Sequence, residues 1–219
     1  MIRLVFIVEG DTEILFVDKV IIPYLHSLGY TNPMHCQTII TNRKQHKKGG
    51  VGSYHKYSNE ITRTLSQGNV IVTTFIDFYA LPPSFPNFSV SANDISNIES
   101  AIHKDFESTD LFIPYIQKHE LETVMFAHFE TLELVVDSKE QFELIKEVVG
   151  EFPNPEDINN SKETAPSKRL MRIFNYDKVA DGNIVFDLMD ISVIMNKCPK
   201  FKTWIEKIKS SMDKFNDAL

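Results

Sequence analysis

The chain has 219 residues, a net charge of −7, and 42% hydrophobic and 24% charged residues. That length suits one domain with an elaboration, or two small ones, and it can bury a core without disulfides or a structural metal. The charge argues against non-specific nucleic-acid binding by the whole surface, though not against a local basic patch.

In chain order, Arg3–Val8 is a short apolar run, consistent with a buried strand and not with a signal peptide. Ile14, Val17, Ile21, Leu25 and Leu28 then recur at three- and four-residue steps, the face of a helix. Asp11 or Thr12 can cap it, Glu13 lies in its first turn, Pro23 predicts a kink or break, and Gly29 ends it. Residues 35–41 are a second strand candidate, followed by a basic, glycine-rich loop, TNRKQHKKGGVGSYHKY. Tyr57, Ile61 and Leu65 mark a helix stopped by Gly68, and NVIVTTFID is the clearest strand. Strand–helix–strand–helix–strand predicts a parallel, doubly wound α/β core.

After Asp77 the texture changes. YALPPSFPNF is an extended loop, 93–106 a helix, LFIPYIQKHELETVMF a strand and a short helix, and 139–149 a polar amphipathic helix. EFPNPEDINNSKETAPSKRL is a long loop leading into a helix near Ala165. Two short helices close the chain, the last around CPKFKTWIEKIKSSM, and SSMDKFNDAL reads as a fraying end. A boundary near residue 107 is conceivable. The expected division is a core over 1–135 and a helical elaboration over 136–219, packed as one unit. Cys36 and Cys198 give no disulfide framework or zinc spacing and read as two reduced core thiols. No apolar run approaches the roughly 20 residues that cross a bilayer, so a cytoplasmic location without membrane contact is expected.

Two carboxylates stand at strand ends. Open parallel sheets bind ligands beyond the carboxyl ends of their strands, where Glu9 follows the first strand and Asp77 ends NVIVTTFID. If these strands are neighbours, the pair could hold a hard divalent cation such as magnesium, which takes one or two carboxylates and completes its shell with water and phosphate. Gly10 would let the backbone approach closely, and Glu13 would face the same space. The alternative is that Glu9 caps a helix and Asp77 opens a turn.

VEGDTE, followed much later by the strand-terminal IDFY, resembles the toprim domain of topoisomerases, primases and OLD-type nucleases. The resemblance implies a toprim-like, Rossmann-like α/β fold with a mostly parallel sheet flanked by helices and a helical C-terminal elaboration. It also implies Mg2+ (or Mn2+) on Glu9 and Asp77. The second aspartate of the domain's Asp-x-Asp is Tyr79 here, so another acid must complete the site or metal binding is weakened. EGDTE, DFYALP, PYIQKHELETVMF, APSKRL with YDKV, and KCPKFKTWIEKI together are similar to one bacterial toprim-like family of unknown function, with the pattern E-G-x-T-E, D-[FY]-Y-x-L-P and H-E-x-E. Its members are often encoded near ATPases in defence-type gene neighbourhoods, which implies an ATPase partner and an antiviral role.

Three further groups are candidates. In QKHELETVMF, His119 could serve as acid, base or ligand. Glu120 is the first choice for the missing acid, with Glu122 behind it; His128 and Glu130 read as a solvated face. Lys168 and Arg169 at a helix start could meet the scissile phosphate or remain solvated. Arg43, Lys44, Lys47, Lys48 and Lys56 could track a phosphate backbone, with Tyr54 and Tyr57 stacking on bases. Two functions are therefore expected to compete. One is a magnesium-dependent nuclease of DNA or RNA, with Glu9, Asp77 and Glu120 as ligands, Glu13 as ligand or base, and Lys168 and Arg169 stabilising charge. The other is a non-catalytic module that binds nucleic acid or an ATPase. A nucleotide-binding or phosphatase-like protein is a third reading, but the sequence has no phosphate-loop glycine pattern.

Overall fold

The computed structural model describes residues 1–42, 47–48, 51–79, 81–159 and 161–216, with the side chains at 40–42, 47–48 and 162 outside the description. Arg43 and Lys44 lie outside the described residues, as do the side chains of Lys47 and Lys48.

The first apolar run forms β1 (Arg3–Val8). It feeds α1 (Asp11–Phe16), a π-helical turn over Val17–Ile21, and α2 (Ile22–Ser27). The break expected at Pro23 does not occur. Proline sits at the second position of α2 directly after the π turn, and the backbone stays helical through Ile21 and Ile22, so the segment changes winding there. The second strand candidate divides into β2 (Met34–Thr38) and β3 (Ile40–Asn42), which pairs with β4 (Lys47–Lys48) as a separate antiparallel ribbon. α3 (Tyr54–Leu65) is capped by the Ser53 hydroxyl, and β5 (Val70–Asp77) is buried along nearly its whole length.

α4 (Ile95–Asp105) follows the proline loop. The single strand read in LFIPYI is two short ones, β6 (Phe112–Ile113) and β7 (Ile116–Gln117), because Pro114 cannot donate to a ladder. Helices follow: α5 (Glu122–Ala127), α6 (Lys139–Glu151), α7 (Pro166–Ile173), α8 (Lys178–Phe186), α9 (Ile191–Lys197) and α10 (Pro199–Asn216). The last is not short. At 18 residues it is the longest helix described, and SSMDKFN continues it because Ser211 and Met212 remain buried.

The main sheet is parallel, in the order β2–β1–β5–β6, with β7 also on β5. The chain is thus an α/β protein with helices on both faces. One face carries α3, α4 and the proline loop around Tyr57, Ile61, Ile98 and Phe85. The other carries α1, α2 and the C-terminal helices. Trp204 of α10 anchors that side: it stacks on Tyr115 at 4.3 Å and its indole N–H donates to Thr73 Oγ1 at 2.8 Å. Both cysteines are free, as two far-separated thiols predict. Among the described residues no helix is long and apolar enough to cross a membrane.

Candidate functional site

β1 and β5 are neighbours, with Val8 opposite Phe75. Glu9 and Asp77 therefore leave the sheet side by side, and Glu9 Oε1 accepts the Asp77 backbone N–H at 2.9 Å. Side chains alternate along a strand, so Asp77 shares the face of Thr73 and Phe75, toward α5 and α8. Glu13 returns from the first turn of α1. Gly10 has an extended backbone that any residue could adopt, so its freedom is not the point. Space is: a Cβ there would stand 3.3 Å from Glu13 Oε2.

Glu122 opens α5 and is 1% exposed. Its Oε1 accepts from Lys178 Nζ at 2.9 Å and from the Tyr176 hydroxyl at 3.2 Å. Lys178 is brought there by the close approach of α8 to α1. Gly182 faces Thr12 across that contact, and a Cβ there would meet Thr12 at an ordinary 3.5 Å but crowd the Phe186 ring of its own helix at 3.1 Å. Glu120 is also buried, but it is turned to the start of α7, accepting the Ser167 N–H at 2.9 Å and hydroxyl at 3.0 Å.

The electrostatics follow from burial. Desolvation, then the neighbouring Glu13 charge, pushes the Glu9 carboxyl up to about 8, against the Asp77 amide and Lys178. Asp77 is driven well above the usual carboxylate range by burial and by Glu13, Glu9, Glu122 and Glu120. Glu13 is raised by burial and Glu122, and Glu120 by burial and Glu122. Burial would lower Lys178, yet Glu122, Glu120 and Asp77 carry it higher than an ordinary lysine. Five carboxyl groups thus share one ammonium. Asp77 Oδ1 and Glu122 Oε2 are sealed from solvent with no hydrogen-bond partner among the described residues. Unpaired buried carboxylate oxygens are costly.

A hard cation fits this donor set, which is all oxygen and carries two partnerless atoms. Among the described residues, however, no group of three or more His, Cys, Asp or Glu side chains is already arranged to hold a metal ion. Loading would require the carboxylates to draw together.

The remaining candidates fall elsewhere. His119 has a left-handed backbone (φ 68°), is nearly buried, and is held neutral at about 4 by burial and Lys118. Tyr79 donates its backbone N–H to the His119 carbonyl at 2.9 Å. The Arg169 Nε–H donates to the Thr164 carbonyl at 3.0 Å, and the guanidinium packs 5.1 Å from the Phe152 ring centroid and 3.9 Å from the Glu151 carboxylate, while Lys168 is exposed. Tyr54 stacks on Tyr57 and donates to Asp105 at 2.7 Å, so neither ring is presented as a free platform. Lys56 is exposed on α3. His128 Nδ1 accepts the Asp190 N–H at 3.0 Å, which makes that histidine a link to α9. Lys178, Tyr176 and Ser167 were not singled out from the sequence. The only signal for the first two was YDKV, a motif whose spacing says nothing of what it faces.

The chain belongs to the family DUF4276, a domain of unknown function, whose model matches residues 8–209. No curated protein and no solved structure matches it.

Proposed function

We propose that this member of the family is a divalent-metal-dependent hydrolase of phosphodiester bonds in nucleic acid, with Glu9, Asp77 and Glu122 holding Mg2+ or Mn2+. The observation that carries the reading is the pairing of Glu9 with Asp77 at adjoining strand ends, with Asp77 Oδ1 and Glu122 Oε2 buried and without a hydrogen-bond partner among the described residues. Glu122 takes the role first expected of Glu120, because Glu120 is committed to the start of α7.

Bound magnesium supplies Lewis-acid polarisation of the phosphate and a more acidic water. The chain supplies the rest. The Lys178 ammonium, paired with Glu122, would offset charge on the phosphoryl oxygens. Glu13, returning from the first turn of α1 toward Glu9, would take a proton from the attacking water. Arg43, Lys44, Lys47, Lys48 and Lys56 would follow the backbone of the bound strand. An ATPase partner and a role in antiviral defence belong to this reading as the setting the sequence resemblance implies.

The Lys178–Glu122 ion pair favours a second reading, a non-catalytic module in which the ammonium occupies the cation's place. Calorimetric titration with Mg2+ and Mn2+, beside Glu9→Gln and Asp77→Asn, separates the two. Saturable binding lost in both variants is expected. Equal heats in all three proteins would leave the module. Cleavage assays on DNA and RNA, with and without a co-encoded ATPase, then test the chemistry.

A further inference from the structure

Beyond the carboxyl ends of β5 and β7, beside the acids but not including them, the protein has an open cleft of about 740 Å³. That is within the size of small-ligand sites, roughly 300–1,000 Å³. Its walls are unlike the acid cluster. Phe78, Tyr79 and Phe88, all only partly buried, supply three aromatic rings. Lys118, His119 and Asn159 supply polar groups. Asn159 Nδ2 donates to His119 Nδ1 at 3.2 Å, which puts the ring proton on Nε2, and Nε2 makes no hydrogen bond among the described residues. Lys118 is already paired with Asp157, so the cleft does not offer a free cation for a phosphate.

His119 holds a left-handed backbone, a conformation for which histidine is enriched, and this turns its ring into the cleft wall beside Lys118 and Asn159. The proline loop that carries Phe88 turns out of β5 immediately after Asp77 and takes a second left-handed residue at Asn87. Rings with planar hydrogen-bonding groups beside them are the chemistry that takes an unstacked base, by stacking on its face and bonding its edge.

We propose that this cleft receives one unpaired nucleobase of a nucleic-acid strand, next to the phosphate that the acids engage. The side chain of Tyr79 then has a use the sequence alone did not suggest: it gives up a carboxylate position and adds a ring. The inference rests on the phosphodiester reading above for the neighbouring phosphate, but not for base binding itself.

The test is a hexanucleotide with one central 2-aminopurine, made as DNA and as RNA, titrated with the full chain in EDTA while fluorescence is read. Saturable quenching is expected with at least one of the two strands in the native protein. Tyr79→Ala and Phe88→Ala should each weaken it about tenfold or more, and Tyr79→Phe should restore it. The same strand in a duplex should give no quenching. Circular dichroism identifies a variant that fails to fold, and Phe88→Ala carries the test if Tyr79→Ala does. No saturable quenching with either strand, quenching unchanged in both alanine variants, or equal quenching by duplex would overturn the proposal. Quenching without cleavage keeps the cleft and removes the nuclease; cleavage without quenching does the reverse.

Discussion

Two buried glutamates, Glu122 and Glu156, are equally hidden, at 1% and 2% exposure, and differently treated. Glu156 has both oxygens bonded, accepting the Phe201 and Lys200 amides at 3.0 Å each, at the first turn of α10. Lys200 completes that corner by pairing with Glu99 while sitting 4.0 Å above the Tyr115 ring. Nothing there is left over. Glu122 has one oxygen bonded and one orphaned, amid carboxyls that raise one another's proton affinity. A buried charge whose every bond is satisfied holds a helix in place. One kept incomplete among like charges is a standing cost that the rest of the fold offsets, as functional sites commonly are.

The contrast can be broken at either end. Glu156→Ala should have the largest effect, since it strands two amides that bonded a charged group; about 3 kcal/mol or more should be lost in denaturant unfolding, with metal affinity intact. Asp77→Asn should weaken Mg2+ binding about 100-fold, or about 2.7 kcal/mol, while leaving or raising the melting temperature, because it removes a repelling carboxyl. Lys178→Met should cost about 1–2 kcal/mol without metal, the ammonium being partly exposed, and less when Mg2+ is present; thermal melts with and without the ion measure both.

The metal-free protein should also respond to pH. Glu9 is raised from 4.5 to about 8, so between those values the folded state holds a proton that the unfolded chain has released. Stability is thus greatest toward the acid end of that window and falls as pH rises through it. The slope should approach about 1.4 kcal/mol per pH unit for this one group. Glu9→Gln should flatten the slope in urea titrations across the window. The smallest effect expected is for Tyr54→Phe: about 1 kcal/mol from the lost bond to Asp105, and no change in oligonucleotide affinity.

Much of the frame was legible. β5 is an uninterrupted apolar run, and the spacing of Ile14, Val17, Ile21 and Leu25 set the helices after β1, so the ends of both strands could be located and Glu9 and Asp77 paired. Choosing between Glu120 and Glu122 was beyond a sequence reading. The two lie two residues apart in a turn, and which one Ser167 captures depends on how α7 docks. Lys178 was hidden for a related reason: it meets Glu122 only because α8 docks beside α5, more than fifty residues away in sequence, which no periodicity records. Arg169 was legible as a guanidinium at a helix start, but its bond to the Thr164 carbonyl and its contact with the Phe152 ring depend on the docking of neighbouring segments.

The acid cluster spans the chain from Glu9 to Lys178, and this sets an order of events during synthesis. Contacts so distant in sequence form slowly, and chains begin to fold as they emerge. Glu9, Asp77 and Glu122 are made before Lys178, so the ion pair between α5 and α8 can form only after the strands and α5 have been synthesised.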